Sequence, residues 1–122
     1  IEMRDTMERV DDALNATRAA MEMGVIRGGG YELATTKDSE QYKYPFFECL
    51  NKPYHQILAN AGITTEVIIP INAKTGEQVD LHEAGVIDPV KVTLSSLNSA
   101  SSVAALVLTS EVLVGELDDM HS

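Results

Sequence analysis

Residues 21–36 read MEMGVIRGGGYELATT, and the three consecutive glycines in this stretch follow closely on a helix-like segment. Gly24 stands where a left-handed residue would end that helix, so Gly28, Gly29 and Gly30 are not needed to stop it. They match neither the dinucleotide fingerprint, which follows a strand, nor a Walker-type loop, which ends in Gly-Lys-Ser/Thr. From spacing alone, a flexible turn between helices is the simplest interpretation.

The segment before the glycines is predicted to form a helix of about five turns. One seam of this helix has spacings of 4, 3, 4, 3 and 4, and its members are Met3, Met7, Val10, Leu14, Thr17 and Met21. The opposite face is polar and carries Asp5, Glu8, Asp12 and Asn15. This pattern is typical of an amphipathic helix with one side against other protein.

The middle of the chain predicts a loop, a second helix and a hairpin. Residues 34–44 are polar and aperiodic, which favours a loop. The second helix is predicted from Pro45 to a stop at Gly62, with a kink or break at Pro53 because proline removes a backbone donor. Residues 66–81, EVIIPINAKTGEQVDL, predict a small hairpin that turns at its Lys-Thr-Gly.

A last helix is predicted to start with Asp88 as its N-cap and Pro89 at its first helical position. Its Ser- and Ala-rich body suits a close approach to another helix. Residues 111–114, EVLV, are β-branched and predict a short final strand. The predicted fold class is therefore mainly α, with a small β-hairpin and a short C-terminal strand.

Composition narrows the classes of function and partner. The 122 residues include 9 Lys plus Arg and 19 Asp plus Glu, a net charge of -10, so nucleic acid and anionic membrane surfaces are poor partners. Cys49 is the only cysteine, which excludes an internal disulfide and fits a reducing compartment, so we expect a cytoplasmic protein. No apolar run approaches the ~20 residues of a membrane span. The chain opens on Ile1, and we expect it to be part of a longer one.

Taken singly, the polar residues have ordinary structural explanations. Asp12 on a polar helix face is typical of a solvated charge, and Asn72 is typical of a tight turn. Asp88 before a proline is typical of a helix cap. The three histidines have no metal-ligand spacing among themselves or with Cys49, so no metal-binding residue is predicted.

The order of the motifs is more informative than any one of them. RVDDALNATRAAMEMGVIRGGG (9–30) is followed by INAKTGEQVDLHEAGVIDPVKVT (71–93) and SSVAALVLTSEVLV (101–114). Over roughly residues 5–117 the chain resembles the C-terminal part of GroEL-type (group I) chaperonins. The resemblance implies that residues 1–24 are an intermediate-domain helix and that residues 25–122 are the C-terminal half of a multihelical equatorial ATP-binding domain.

The resemblance also implies roles for individual residues. Asp12 matches the carboxylate that activates the water attacking the γ-phosphate, and Gly29 matches a position whose backbone packs on the nucleotide. Asp88 matches an acid that reaches the nucleoside. The residues implied in nucleotide binding are Gly28, Gly29, Gly30, Asn72, Ala73, Lys74 and Asp88. By this resemblance the glycines form a wall of the nucleotide pocket and not a phosphate loop.

The implied cofactors are ATP and Mg²⁺, with the phosphate loop and the metal ligand in an N-terminal half outside these residues. The implied partners are identical subunits in a ring, unfolded client proteins bound by an apical domain, and a co-chaperonin. Two departures stand out: the stretch between Gly30 and Tyr54 is shorter than in typical members, and Lys74 replaces a small residue. A divergent, virus-encoded member would fit both.

Two further hypotheses stay open. The first is a non-enzymatic, truncated chaperonin-like module that binds chaperonin subunits and alters their assembly. A G-D-G-T-T-type motif upstream of Ile1 would separate it from the complete ATPase. The second is a small acidic hydrolase that uses Asp12 with another carboxylate, for which the sequence supplies no nucleophile or metal set.

Overall fold

The computed structural model describes residues 1–36, 48–112 and 114–115. Four α-helices and two short strands lie in these ranges. In chain order they are α1 (Glu2–Met23), β1 (Val25–Arg27), α2 (Tyr31–Thr35), α3 (Lys52–Asn60), β2 (Ile87–Pro89) and α4 (Val90–Thr109). The predicted fold class, mainly α with a small antiparallel β element, is confirmed.

Helix α1 ends where the sequence predicted. Gly24 has φ 82°, and its N–H donates to the Ala20 carbonyl at 2.7 Å. A positive φ favours glycine because no Cβ clashes with the backbone. The chain can therefore leave the helix and enter β1 at the next residue.

The seam along α1 does not face the core of the described chain. Its apolar members are all at least half exposed, namely Met3, Met7, Val10, Leu14 and Met21. The buried residue of α1 is Ala19, on the side that packs against α4. The periodicity predicted the helix correctly, but nothing in the described residues covers its apolar face.

Strands β1 and β2 form an antiparallel pair that the sequence did not predict. Val25 lies opposite Pro89, and Ile26 lies opposite Asp88. Just beyond the pair, the Val90 N–H donates to the Gly24 carbonyl at 3.1 Å. The pairing joins segments about sixty residues apart and sets α1 beside α4.

The predicted hairpin is present mainly as its turn. The Asn72 N–H donates to the Glu77 carbonyl at 2.9 Å, and the Gly76 N–H donates to the Asn72 carbonyl at 2.7 Å. Its arms are joined by one isolated bridge, between Ile71 and Gln78, and they do not extend into strands. The turn prediction is confirmed in position.

Asp88 is not a helix cap, and that prediction is wrong. Asp88 and Pro89 belong to β2, Pro89 is extended with ψ 132°, and α4 begins at Val90 without a side-chain cap. Pairing with β1 holds residues 87–89 extended, and this tertiary contact overrides the local cap signal. Proline fits here because its fixed φ suits an extended residue as well as a helix start.

The region around Pro53 agrees in part with the sequence. Residues 34 and 35, predicted as loop, are the end of α2, where Ala34 is fully buried. The predicted break at Pro53 corresponds to a change from a 3-10 turn, Cys49–Asn51, to α3. Gly62 has φ 78° just after α3, as expected for a stop. Residues 37–47, with the predicted helix start at Pro45, lie outside the described residues.

The described part of the C-terminal segment contains no strand. Glu111, Val112 and Val114 are not in regular structure, and both valines are exposed. A strand needs a neighbouring backbone to pair with, and no described segment supplies one here. Leu113 and residues 116–122 lie outside the described residues.

A small core lies beneath the glycine turn. It consists of Tyr31, Ala34, Tyr54, Leu58 and Leu81. The Tyr54 hydroxyl donates to the Ile69 carbonyl at 2.5 Å and accepts from the Ile69 N–H at 3.3 Å. Burial raises the pKa of the Tyr54 phenol. This core packs α2 against α3 and against residues 63–70, the irregular segment that leads to the hairpin turn.

Helix α4 has a high mean hydropathy, although small polar residues interrupt its apolar residues and the sequence therefore shows no long apolar run there. By length and composition it is the described helix that could cross a membrane, and none of it is buried. Core helices of soluble proteins can have the same length and composition, so one such helix does not establish a membrane span. As along the seam of α1, most of its apolar side chains are exposed in the described chain.

Candidate functional site

Gly28 is a glycine because of tight packing against the segment that enters β2. Its N–H donates to the Val86 carbonyl at 2.8 Å. A Cβ at this position would lie 3.2 Å from backbone atoms of Val86 and Ile87. Such a distance is shorter than an ordinary van der Waals contact, so the backbones could not keep this separation with a larger residue.

Gly30 is held even more tightly, on the other side of the turn. It has φ 77° and immediately precedes α2. A Cβ here would lie 2.9 Å from the backbone nitrogen of Tyr54 and 3.2 Å from its Cα. Close approach of the turn to α3 therefore requires glycine, independently of any ligand.

Gly29, between them, has a different environment. Its φ is 68°, yet a Cβ would meet no atom within 4 Å. Its N–H donates to Asp88 Oδ2 at 3.2 Å. Packing inside the described chain therefore does not require a glycine here, apart from the left-handed backbone, and the surface above Gly29 is open.

The Gly29–Asp88 hydrogen bond joins two residues that the resemblance places in one pocket. They are 59 positions apart in the sequence. Asp88 lies opposite Ile26 in the strand pair, which brings its side chain to the turn that follows β1. The carboxylate is partly buried. Since a carboxylate accepts several hydrogen bonds, Asp88 keeps acceptor capacity for a hydroxyl group after binding Gly29.

The hairpin turn is organised locally. Asn72 Oδ1 accepts from the Lys74 N–H at 3.0 Å, which is an Asx-turn. Ala73 packs against the core, and Lys74 is exposed. Among the described residues, no hydrogen bond or ion pair links this turn to Gly29 or Asp88. Its connection to the glycine turn is through the core that both contact.

Asp12 lies far along α1 from the other candidates. It is exposed, and within the described ranges its carboxylate has no hydrogen bond or ion pair. Twelve residues separate it from Gly24, which corresponds to about 18 Å along the helix axis. The structure therefore does not bring Asp12 beside the glycine turn or Asp88.

Arg27 and Glu32 flank the glycine turn and were not found from the sequence. Their side chains form an ion pair across the turn, and the Arg27 guanidinium lies 4.6 Å from the centroid of the Tyr31 ring. The hydrogen bond from Arg27 lowers the pKa of the Glu32 carboxyl, and the same bond raises the pKa of Arg27. They are five residues apart, which is not a helical spacing, so helical periodicity could not predict the pair. The signal in the sequence was a pair of opposite charges on either side of three glycines.

A groove of about 580 Å³ lies between α1 and α4. Its lining residues are Asn15, Arg18, Ala19, Glu22, Lys91, Val92, Ser95, Ser96 and Ser99. Lys91 Nζ donates to Glu22 Oε2 at 2.5 Å across its end. None of the predicted site residues lines this groove.

The candidate site is thus the Asp88 carboxylate, held by the Gly29 N–H beside an open surface, and its remaining lone pairs can accept hydrogen bonds from a hydroxyl group. Among the residues that the structure describes, no three His, Cys, Asp or Glu side chains are grouped so as to hold a metal ion. No family model matches the chain. The function must therefore be inferred from the order of the motifs and the geometry around Gly29 and Asp88.

Proposed function

We propose that this chain is the C-terminal segment of an ATP-dependent protein-folding chaperonin subunit of the GroEL type. The segment contributes the nucleoside side of the ATP pocket, the water-activating Asp12 and contacts within a ring. The observation that carries the proposal is the hydrogen bond from the Gly29 N–H to Asp88 Oδ2. Two motifs that the resemblance assigns to one pocket lie in contact in this fold.

The environment of the three glycines supports the same proposal. Gly28 and Gly30 are each explained by close backbone packing, whereas the space above Gly29 is open. A flat, uncharged part of a ligand can approach the backbone most closely where no Cβ intervenes. Gly29 is therefore suited to form the wall against which a nucleoside lies.

Asp88 is the residue of this chain that would orient the nucleoside. Its carboxylate is fixed by the Gly29 N–H and can accept further hydrogen bonds from ribose hydroxyls. Asn72, Ala73 and Lys74 would border the adenine from the hairpin turn. The Asx-turn at Asn72 fixes the backbone there, and the exposed Lys74 can move aside.

Asp12 requires a movement of α1 to act. Its position about 18 Å along the axis from Gly24 means that the carboxylate reaches the phosphates only when α1 swings. Gly24, with its positive φ between α1 and β1, would be the point of rotation, and the swing would separate the C-terminal half of α1 from α4. In the swung position Asp12 would orient the attacking water, and Mg²⁺, with its ligands outside this chain, would supply the neutralisation of phosphate charge.

The partners and location follow from the same proposal. Identical subunits would assemble into a ring through the equatorial domain, with residues 111–114 adding a strand to a neighbouring subunit. Client proteins would bind an apical domain outside this chain, a co-chaperonin would be a further partner, and the site of action would be the cytoplasm. Neither nucleic acid nor a membrane has a role in this proposal.

The decisive experiment is Asp12→Ala in the complete parent chain. ATP turnover should fall on the order of 10²-fold or more while ATP binding stays nearly intact, because the carboxylate acts in the transition state. Asp11→Ala is the matched control, since Asp11 is rotated by about 100° on α1. Equal losses of turnover in the two variants, or an equal loss of binding and turnover in Asp12→Ala, would refute the assignment.

The non-enzymatic module is the second candidate, and the large exposed apolar surfaces of α1 and α4 favour it. Such a module would bind chaperonin subunits through these surfaces and alter ring assembly. The coding sequence upstream of Ile1 distinguishes the two candidates. A G-D-G-T-T-type motif there supports the ATPase, and a start codon immediately before Ile1 supports the module.

A further inference from the structure

The N-terminal half of α1 has an apolar face that no described residue covers. Met3, Met7, Val10 and Leu14 are 77%, 63%, 52% and 50% exposed. Their alternating spacing of 4, 3 and 4 matches the a and d positions in the seven-residue repeat of a coiled coil. Thr17 interrupts the seam before Met21, so its continuous apolar part runs from Met3 to Leu14.

Helix α4 contacts a different part of α1. The α1 residues that line the groove with α4 are Asn15, Arg18, Ala19 and Glu22. They lie in the C-terminal half of α1 and on another side from the seam. A partner could therefore pack along residues 3–14 without displacing α4.

The charges beside the seam are arranged on one side only. Arg4 and Asp11 each follow a seam residue by one position, so both flank the same edge of the apolar stripe. The other edge carries Thr6 and Ala13, which are uncharged. The charged edge thus has one positive and one negative residue, two turns apart.

We propose that residues 3–14 of α1 pair antiparallel with the same residues of a second copy of this chain. Met3 would lie opposite Leu14 of the partner subunit, and Met7 opposite Val10 of the partner subunit. By symmetry this gives four layers, all apolar. It also sets Arg4 beside Asp11 of the partner subunit, twice in each dimer.

The charges select this register over its neighbours. A shift of seven residues would set Asp11 against Asp11 of the partner subunit and Arg4 against Arg18 of the partner subunit, and both contacts are repulsive. It would also bring Thr17 into the apolar interface. In a parallel pair, residues of opposite edges meet, and Asp11 would then face the uncharged Thr6. Of these arrangements, only the antiparallel register with Met3 opposite Leu14 of the partner subunit gives apolar layers throughout and also pairs opposite charges.

The dimer is a weak one. A paired segment of twelve residues is at the short end for a helical interface, and we expect a Kd on the order of 10–100 μM. The dimer does not rest on the proposed function, since its evidence is the exposed seam and its flanking charges. Its interface lies on α1 and does not include residues 111–114.

Sedimentation equilibrium of the 122-residue chain up to several hundred micromolar tests the dimer. Asp11→Arg should weaken it about tenfold, because two attractive contacts become repulsive. Asp12→Arg, with the same charge change one position away, should leave the Kd within about twofold. The double variant Arg4→Asp with Asp11→Arg should restore wild-type affinity. Circular dichroism of each variant checks that α1 remains helical.

Two further variants test the location of the interface. Met7→Lys should abolish the dimer, whereas Met23→Lys, which makes the same change on α1 outside the seam, should not alter it. A strictly monomeric wild-type chain would overturn the proposal. So would equal effects of Asp11→Arg and Asp12→Arg, a double variant weaker than Asp11→Arg alone, or a dimer that Met23→Lys dissociates and Met7→Lys does not.

Discussion

Alanine variants of Gly29 and Gly30 should distinguish a glycine that close packing requires from one that lies beside open space. Gly29 and Gly30 have nearly the same backbone conformation, with φ 68° and 77°. They differ in what a Cβ would meet: open space at Gly29, and the backbone nitrogen of Tyr54 at 2.9 Å at Gly30. Alanine therefore imposes the same backbone strain at both positions and a steric clash at only one.

The magnitudes follow from these two terms. A non-glycine residue in the left-handed region costs roughly 1–2 kcal/mol, so Gly29→Ala should lower the free energy of unfolding by about that amount. Gly30→Ala has the same strain, and the clash with buried backbone adds about 1–3 kcal/mol. Its total of about 2–5 kcal/mol is a large share of the stability of a domain this size.

The assay is equilibrium unfolding in urea with two optical signals. The chain has no tryptophan, so near-ultraviolet circular dichroism of Tyr31 and Tyr54, which are both buried, reports on the core. Far-ultraviolet circular dichroism reports on all helices together. With a slope of about 1 kcal/mol per molar urea, the midpoint should fall by about 1–2 M for Gly29→Ala and by about 2–5 M, or to no folded core, for Gly30→Ala.

One result would refute the reasoning directly. If Gly29→Ala destabilised the core as much as Gly30→Ala, the space above Gly29 would not be open in solution. The structural basis for a ligand wall at Gly29 would then be lost, whatever the outcome of the experiments on Asp12.

Two more predictions concern the same turn and its ligand. The 122-residue chain should bind Mg-ATP very weakly or not at all in a calorimetric titration, because the proposed phosphate and metal groups lie outside it; micromolar affinity would contradict this. Arg27 lowers the pKa of the Glu32 carboxyl, so the pair stabilises the fold above the unfolded-state pKa and its contribution is lost as the pH falls through the folded-state pKa. Glu32→Gln should therefore cost up to about 1 kcal/mol at pH 7 in urea unfolding, and the cost should shrink as the pH falls through the lowered pKa of Glu32; a cost independent of pH would count against the ion pair.

The sequence alone determined the local elements of this protein. The spacing along residues 3–21 predicted α1, and Gly24 predicted its end. Asn72 and Gly76 predicted the hairpin turn, and Pro53 predicted the break before α3. These features depend on helical periodicity, turn chemistry and the missing proline N–H, all of which act within a few residues. They were sufficient for the mainly α fold class.

Only the tertiary structure decided what the residues of the glycine turn do. Asp88 has the sequence of a helix cap, yet pairing of β2 with β1 makes it the acceptor of the Gly29 N–H. Gly28 and Gly30 are fixed by backbone segments 58 and 24 positions away, at Val86 and Tyr54. Contacts at such separations depend on how the chain returns to itself, and no local pattern encodes them. The exposed seam of α1 has the same cause, since periodicity identifies an apolar face but not the surface that covers it.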